Sequence, residues 1–152
     1  MFDNDSSQAK LGRAGETIVL NWFSSQGKQF QVSVDQYDSQ KDMIVEGKKV
    51  EVKTQVPFVI KNSFSFKENQ LRKCLNADYV YFVSVPNEKR PHHSSGKVYC
   101  IESSNIKFNY YTTKDGRNMV LIPIDQEGMK EVFTMSENEA KILQRYSVSG
   151  WN

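Results

Sequence analysis

Apolar residues recur every three to four positions across residues 8–25, where Leu11, Ala14, Ile18, Val19 and Trp22 share one side, and this spacing predicts an amphipathic helix. Ser6 and Ser7 offer its N-cap and Gly27 its stop. The period then drops to two. FQVSVDQY, residues 30–37, alternates as a strand, and DMIVEGKKVEVKT carries two short apolar runs folded about Gly47, so together they predict a three-stranded meander. Helical spacing returns over residues 66–76 at Leu71, Cys74 and Leu75, and leads into the apolar strand YVYFVSV, which Pro86 ends. NEKRPHHSSGK reads as a loop before a short strand at 98–102. Asp115-Gly116 between 109–113 and 118–124 predicts a β-hairpin, and Ser136 with Glu139 forms the capping box of a last helix reaching about Tyr146. The order is α-β-β-β-α-β, then further β elements and a terminal helix, in one domain over residues 1–152.

With 152 residues and 38% hydrophobic content, the chain can bury a sizeable core. Its longest apolar runs are strand-length, below the ~20 residues a membrane helix needs. No membrane partner is expected, and MFDNDSSQAK lacks the layout of a secretory signal, so a soluble cytoplasmic protein is the expectation. Cys74 and Cys100 have no partners at metal-ligand spacing and read as reduced core thiols. A net charge of +2 says little about partners, but Lys41, Lys48, Lys49, Lys53, Lys61, Lys67, Arg72 and Lys73 crowd the middle of the chain, where a phosphate could be neutralised. An ordinary solvated face explains the same crowding.

The segment from Asp42 to Lys53 carries the chemistry. Side chains alternate faces in a strand, so Glu51 and Lys53 share one face and Val50 and Val52 the other. A two-residue turn at Glu46-Gly47 sets Asp42 opposite Glu51, whereas a turn at Gly47-Lys48 sets it opposite Lys53. Either register gathers all three on one face and leaves Met43, Val45, Val50 and Val52 as an apolar face for the core, with Ile44 the one apolar intruder among the polar set.

Paired carboxylates repel unless a cation bridges them. Mg²⁺, with Mn²⁺ able to substitute, suits a few carboxylate oxygens, one backbone carbonyl (that of Val52) and retained waters. Such an ion polarises a phosphoryl oxygen and acidifies bound water, while Lys53 orients that water and offsets transition-state charge. Taken alone, an E-x-K triplet is more often a cross-strand ion pair on an exposed strand.

Asp42 followed by Glu51-Val52-Lys53 resembles the PD-(D/E)xK nuclease superfamily, whose pattern is an acidic residue on one strand and (D/E)-x-K on the next. The resemblance implies a restriction-endonuclease-like αβββαβ core within an α/β (α+β) class, with a central mixed sheet flanked by helices, here extended by a C-terminal β-hairpin and helix. GRAGETIVLNWFSSQG resembles the start of the archaeal Holliday junction resolvases and implies that Glu16 supports the metal, directly or through water. The likeness covers residues 11–85. Lys41 stands where the name-giving proline would be, and Asp38 is the alternative ligand to Asp42 if the hairpin is longer. The implied activity is metal-dependent endonucleolytic cleavage of DNA, duplex or branched, by a homodimer. A catalytically inactive nucleic-acid-binding or protein-interaction member of the same fold is the alternative, and a small β-rich interaction domain a third.

Gln70, Arg72 and Lys73 at the second helix, Gln55 two residues beyond Lys53, Arg13 on the first helix, Lys48 at the hairpin and Arg90 in the polar loop are the candidate nucleic-acid contacts. Each also reads as an ordinary polar residue facing solvent. Adjacent His92 and His93 make poor joint ligands and read as solvent residues. Tyr79, Tyr81, Phe82, Tyr110 and Tyr111 could stack on bases, but their strand spacing points to core packing.

Overall fold

The structure is a computed structural model that describes residues 7–34, 41–57, 62–87 and 94–147, with backbone only at 33, 34, 41 and 42. In chain order the elements are α1 (Ser7–Ser25), β1 (Phe30–Val34), β2 (Lys41–Val45), β3 (Lys48–Gln55), β4 (Ser63–Lys67), α2 (Glu68–Asn76), β5 (Tyr79–Ser84), β6 (Lys97–Glu102), a 3-10 turn (Ser103–Asn105), β7 (Asn109–Thr112), β8 (Asn118–Pro123), β9 (Lys130–Thr134) and α3 (Glu137–Ser147). The architecture is mixed α+β. A six-stranded mixed sheet runs in the order β1-β2-β3-β5-β6-β9, and a smaller sheet runs β4-β8-β7. Within the large sheet only β3 and β5 pair in parallel, Val50 beside Tyr79 through Gln55 beside Ser84, and the connection between them passes through β4 and α2. A parallel pair needs such a crossover, because a tight turn can join only antiparallel neighbours.

The large sheet buries both faces. Against one face, α1 and α3 pack Ile18, Val19, Phe23 and Leu143 onto Met43, Val45, Val50, Val83, Val85 and Val98. Against the other, α2 and the small sheet pack Leu71, Cys74, Phe64, Phe66, Val120 and Ile122 onto Val80, Phe82 and Ile101. Strand β5 serves both cores through its alternation, Val80 and Phe82 on one side and Val83 on the other. The β2-β3 turn is the two-residue form: Val45 pairs with Lys48, and Glu46 and Gly47 both have positive φ, at 48° and 79°. That is the turn whose twist matches flanking strands, at the cost of holding a non-glycine residue, Glu46, in the left-handed region. Gly27 ends α1 with φ of 72°, and the Ser136–Glu139 capping box forms in full, with the Ser136 amide donating to Glu139 Oε1 at 2.8 Å and the Glu139 amide to Ser136 Oγ at 3.1 Å.

Two expectations need correction. The second helix does not begin at Phe66; Ser63–Lys67 is a strand, and the helix opens at Glu68. The period-two run S-F-S-F puts Phe64 and Phe66 on one face, where they pair with Ile122 and Val120 and fill the core, an outcome that helical phasing would have split. Strand β9 was not expected either. It caps the sheet beside β6 across a bulge between Val98 and Tyr99. Strand β1 is described as far as Val34, and the remainder of its expected range lies outside the described residues. Among the described residues no helix is long and apolar enough to cross a membrane.

Candidate active site

Strand β3 sorts its side chains by parity. Val50, Val52 and Thr54 face α1, which comes so close that a Cβ placed on Gly15 would lie 1.7 Å from Thr54 Oγ1. Glu51, Lys53 and Gln55 face α2 and β4. On that side the Lys53 ammonium, its side chain only 12% exposed, sits 2.8 Å from Glu51 Oε2. It also donates to Gln70 Oε1 from the first turn of α2, and it lies 5.8 Å from the centroid of the Phe66 ring. A lysine so deeply placed needs partners for its charge, and a carboxylate, an amide oxygen and an aromatic ring provide them. Glu51 keeps 22% of its side chain exposed, so its carboxylate opens to solvent while holding the ammonium.

Gln55 locks the neighbouring strand into place. Its Oε1 accepts from the Ser65 amide at 2.6 Å and its Nε2 donates to the Ser65 carbonyl at 2.8 Å, in the manner of a backbone ladder. That fixes β4 beside β3 and, one residue on, Phe66 beneath Lys53. Ser65 Oγ then meets Tyr111 OH at 2.6 Å and ties β7 into the same arrangement. Phe66, Ser65 and Tyr111 were missed as site residues. The S-F-S-F alternation was the available signal, masked by the helical spacing that follows it.

The other candidates separate. The observed β2-β3 pairs, Met43 with Val50 and Ile44 with Lys49, carry the register in which backbone position 42 comes opposite position 51. Past Val50 the described ladder between these strands stops, while β5 follows β3 to Gln55. The β2 side of β3 near the Val52 backbone is therefore without described strand pairing. Glu16 follows Gly15 on α1, on the opposite face of β3 from Glu51 and Lys53. Arg13 is exposed on that same helix, and Arg72 is exposed and Lys73 half-buried on α2. Lys48 lies five residues before Lys53, roughly 17 Å along an extended strand, in a cleft with Asp78, Tyr79 and Glu102. The lysine crowding of the sequence is thus not one patch around the site. Asp38, Arg90, His92 and His93 lie outside the described residues. Among the described residues no three His, Cys, Asp or Glu side chains converge as a metal site; Asp42, described by its backbone alone, is not part of that statement.

Cys74 stands one helical turn beyond Gln70, fully buried, and both cysteines are free thiols. Burial pushes the Cys74 thiol up from 9.0 to about 12, with Lys53 pulling it down and Glu51 pushing it further up. Burial likewise raises Cys100, to about 11. Because the folded state favours the neutral thiol, the Cys74 contribution to stability is complete below about pH 9 and is lost as pH rises toward 12. The expected result of thiol labelling at pH 8 is that Cys74 reacts only at the rate of unfolding, measured by mass spectrometry with and without denaturant. Rapid native-state labelling of Cys74 would show that the α2 contact is open in solution.

No family model, curated protein or solved structure matches the chain.

Proposed function

We propose that the chain is a metal-dependent nuclease of the restriction-endonuclease-like fold that hydrolyses phosphodiester bonds in DNA. The observation that carries this reading is the Lys53 ammonium, held on one face of β3 between the Glu51 carboxylate and Gln70. A structural ion pair on an exposed strand has no need of a largely covered lysine steered by a second element. The reading is supported by the element order as well. Helix α1, strands β1 to β3, helix α2 and then β5, parallel to β3, follow the αβββαβ arrangement, with β4 as an insertion in the crossover.

The donor set fits a hard divalent cation such as Mg²⁺ or Mn²⁺. Glu51 offers a solvent-reachable carboxylate, and the β2 side of β3 lacks described strand pairing beyond Val50, where the Val52 carbonyl is the backbone candidate. Asp42 is the second carboxylate of the reading, by register. A contribution from Glu16 has to come past the edge of β3, because α1 backs the opposite face, which suits contact through water better than direct ligation. When bound, the cation supplies Lewis acidity at a phosphoryl oxygen and a more acidic water. The chain's own part is to hold the Lys53 side chain in a direction set by Glu51 and Gln70, so that the ammonium faces developing negative charge without reorganising. Cleaving a branched substrate on two strands calls for two symmetry-related copies, so a homodimer and a Holliday junction resolvase activity form the most specific version of the proposal.

The deciding experiment is purified protein with Mg²⁺, Mn²⁺ or EDTA against linear duplex, nicked circle, single strand, flap and four-way junction, with Glu51→Gln as control. Metal-dependent cleavage lost in the variant is expected. Binding without cleavage in either metal identifies an inactive nucleic-acid-binding member instead, and absence of both activities overturns the nucleic-acid reading.

A further inference from the structure

Tyr110 breaks the expectation that the strand tyrosines are core residues. Its side chain is 60% exposed, more than that of any other large hydrophobic residue among those described; Leu75 at 42% comes next. It lies on β7, the edge of the small sheet, in one cross-strand row with Val120 and Phe66. Phe66 is the ring beneath the Lys53 ammonium. Residues directly across neighbouring strands share a face, so Tyr110 lies on the same face as Phe66, two strand spacings or roughly 10 Å away. Val120 between the two is fully buried in the core with Leu71 and Cys74, so on the surface the ring is joined to the Lys53 site through Glu68, two residues before Gln70 at the start of α2.

The exposed ring is also held. Its hydroxyl donates to Glu68 Oε1 at 3.3 Å, and the Phe108 ring stands against it edge-on, with centroids 5.6 Å apart and planes at 87°. Glu68 opens α2, the helix that brings Gln70 to Lys53. With its hydroxyl directed at the Glu68 carboxylate, whose negative charge repels a phosphate, the ring's tip is a poor phosphate contact. What the residue still offers is an aromatic surface in a fixed orientation, and the complementary ligand is flat, uncharged and aromatic.

We infer that Tyr110 is a stacking platform for an unpaired nucleobase at the edge of the Glu51–Lys53 site, which makes single-stranded or flapped DNA, rather than a fully paired four-way junction, the preferred substrate class. This inference rests on the nuclease reading for its placement beside a scissile phosphate. A base inside a duplex already has both faces stacked on neighbours, so such a platform selects strands whose bases are free.

The test compares wild type, Tyr110→Phe, Tyr110→Leu and Tyr110→Ala as full chains, using a fluorescein-labelled oligothymidylate and a hairpin duplex of equal length, first in EDTA and then with Mg²⁺. Unchanged thermal midpoints and far-UV spectra qualify each variant as folded. Single-strand affinity is expected to fall on the order of 10- to 100-fold in the Ala and Leu variants, to survive in the Phe variant, and duplex affinity to stay within about twofold. Equal losses on both probes, no loss on either, or a Phe variant as weak as Ala would overturn the platform. Failure of the nuclease reading looks different: the same binding pattern with no cleavage by any variant in Mg²⁺ leaves the platform standing and removes the enzyme.

Discussion

Exchanging Lys53 for methionine is expected to lower the cleavage rate of the proposed nuclease on the order of 10²- to 10³-fold while leaving DNA binding nearly intact, the loss typical when one preorganised charge-stabilising group is removed. Methionine keeps an unbranched side chain of similar length, so the variant removes the ammonium from above Phe66 while leaving an apolar chain to pack there. Gln70→Ala gives a smaller loss, about 10-fold, because Glu51 at 2.8 Å still orients the ammonium once the amide is gone. The relation between the two variants is the informative part. If Gln70 acts only through Lys53, adding Gln70→Ala to Lys53→Met costs nothing further. Single-turnover rates at saturating Mg²⁺ measure both effects free of substrate binding. Full activity in Lys53→Met would remove Lys53 from the chemistry and leave the Glu51 pair as a structural contact.

Gly15→Ala destabilises the protein by about 3 kcal/mol or more, the upper range for inserting a methyl into a packed contact. The added carbon meets Thr54 Oγ1 at 1.7 Å, Thr54 Cβ at 2.8 Å and Thr54 Cγ2 at 2.9 Å, so α1 has to lift from β3. Thr54→Ala in the same chain recovers part of the loss, since it deletes the two outer atoms and leaves only the Cβ overlap. Thr54 Oγ1 is buried with no hydrogen-bond partner, but the methyl of Thr54→Val would press harder on Gly15 than the hydroxyl does, so that variant on its own is expected to be destabilised by about 1 kcal/mol. Urea denaturation of wild type, Gly15→Ala, Thr54→Ala and the double variant measures the coupling. Additive effects would mean that α1 already stands further from β3 in solution. Because β3 carries Glu51 and Lys53 on its far face, Gly15→Ala is also the substitution most able to disturb the site without touching it.

The long-period features were legible in the chain. Helix α1 with its Gly27 stop, the Glu46-Gly47 turn, the Asp115-Gly116 hairpin and the Ser136–Glu139 cap all depend on contacts within a few residues, where local chemistry decides the conformation. Strand parity alone likewise ties Glu51 to Lys53. Tyr110 went the other way: its alternation on β7 matches that of a core strand, but β7 is a sheet edge, and edge position is a property of the whole topology. The same holds for β4, whose five residues are a strand because β8 is there to pair with them.

The sequence by itself determined which side chains share a face of the β2-β3 hairpin, since a period of two and a two-residue turn leave no other arrangement. Only the tertiary structure decided what meets that face. Gln70 reaches Lys53 from a helix 17 residues later, and Gln55 holds Ser65 across a 10-residue separation. Both contacts exist because the crossover lays β4 and α2 over one side of β3 while α1 takes the other. That choice of sides is made by burying Phe64, Phe66 and Leu71 against β5, a packing decision that no local pattern contains.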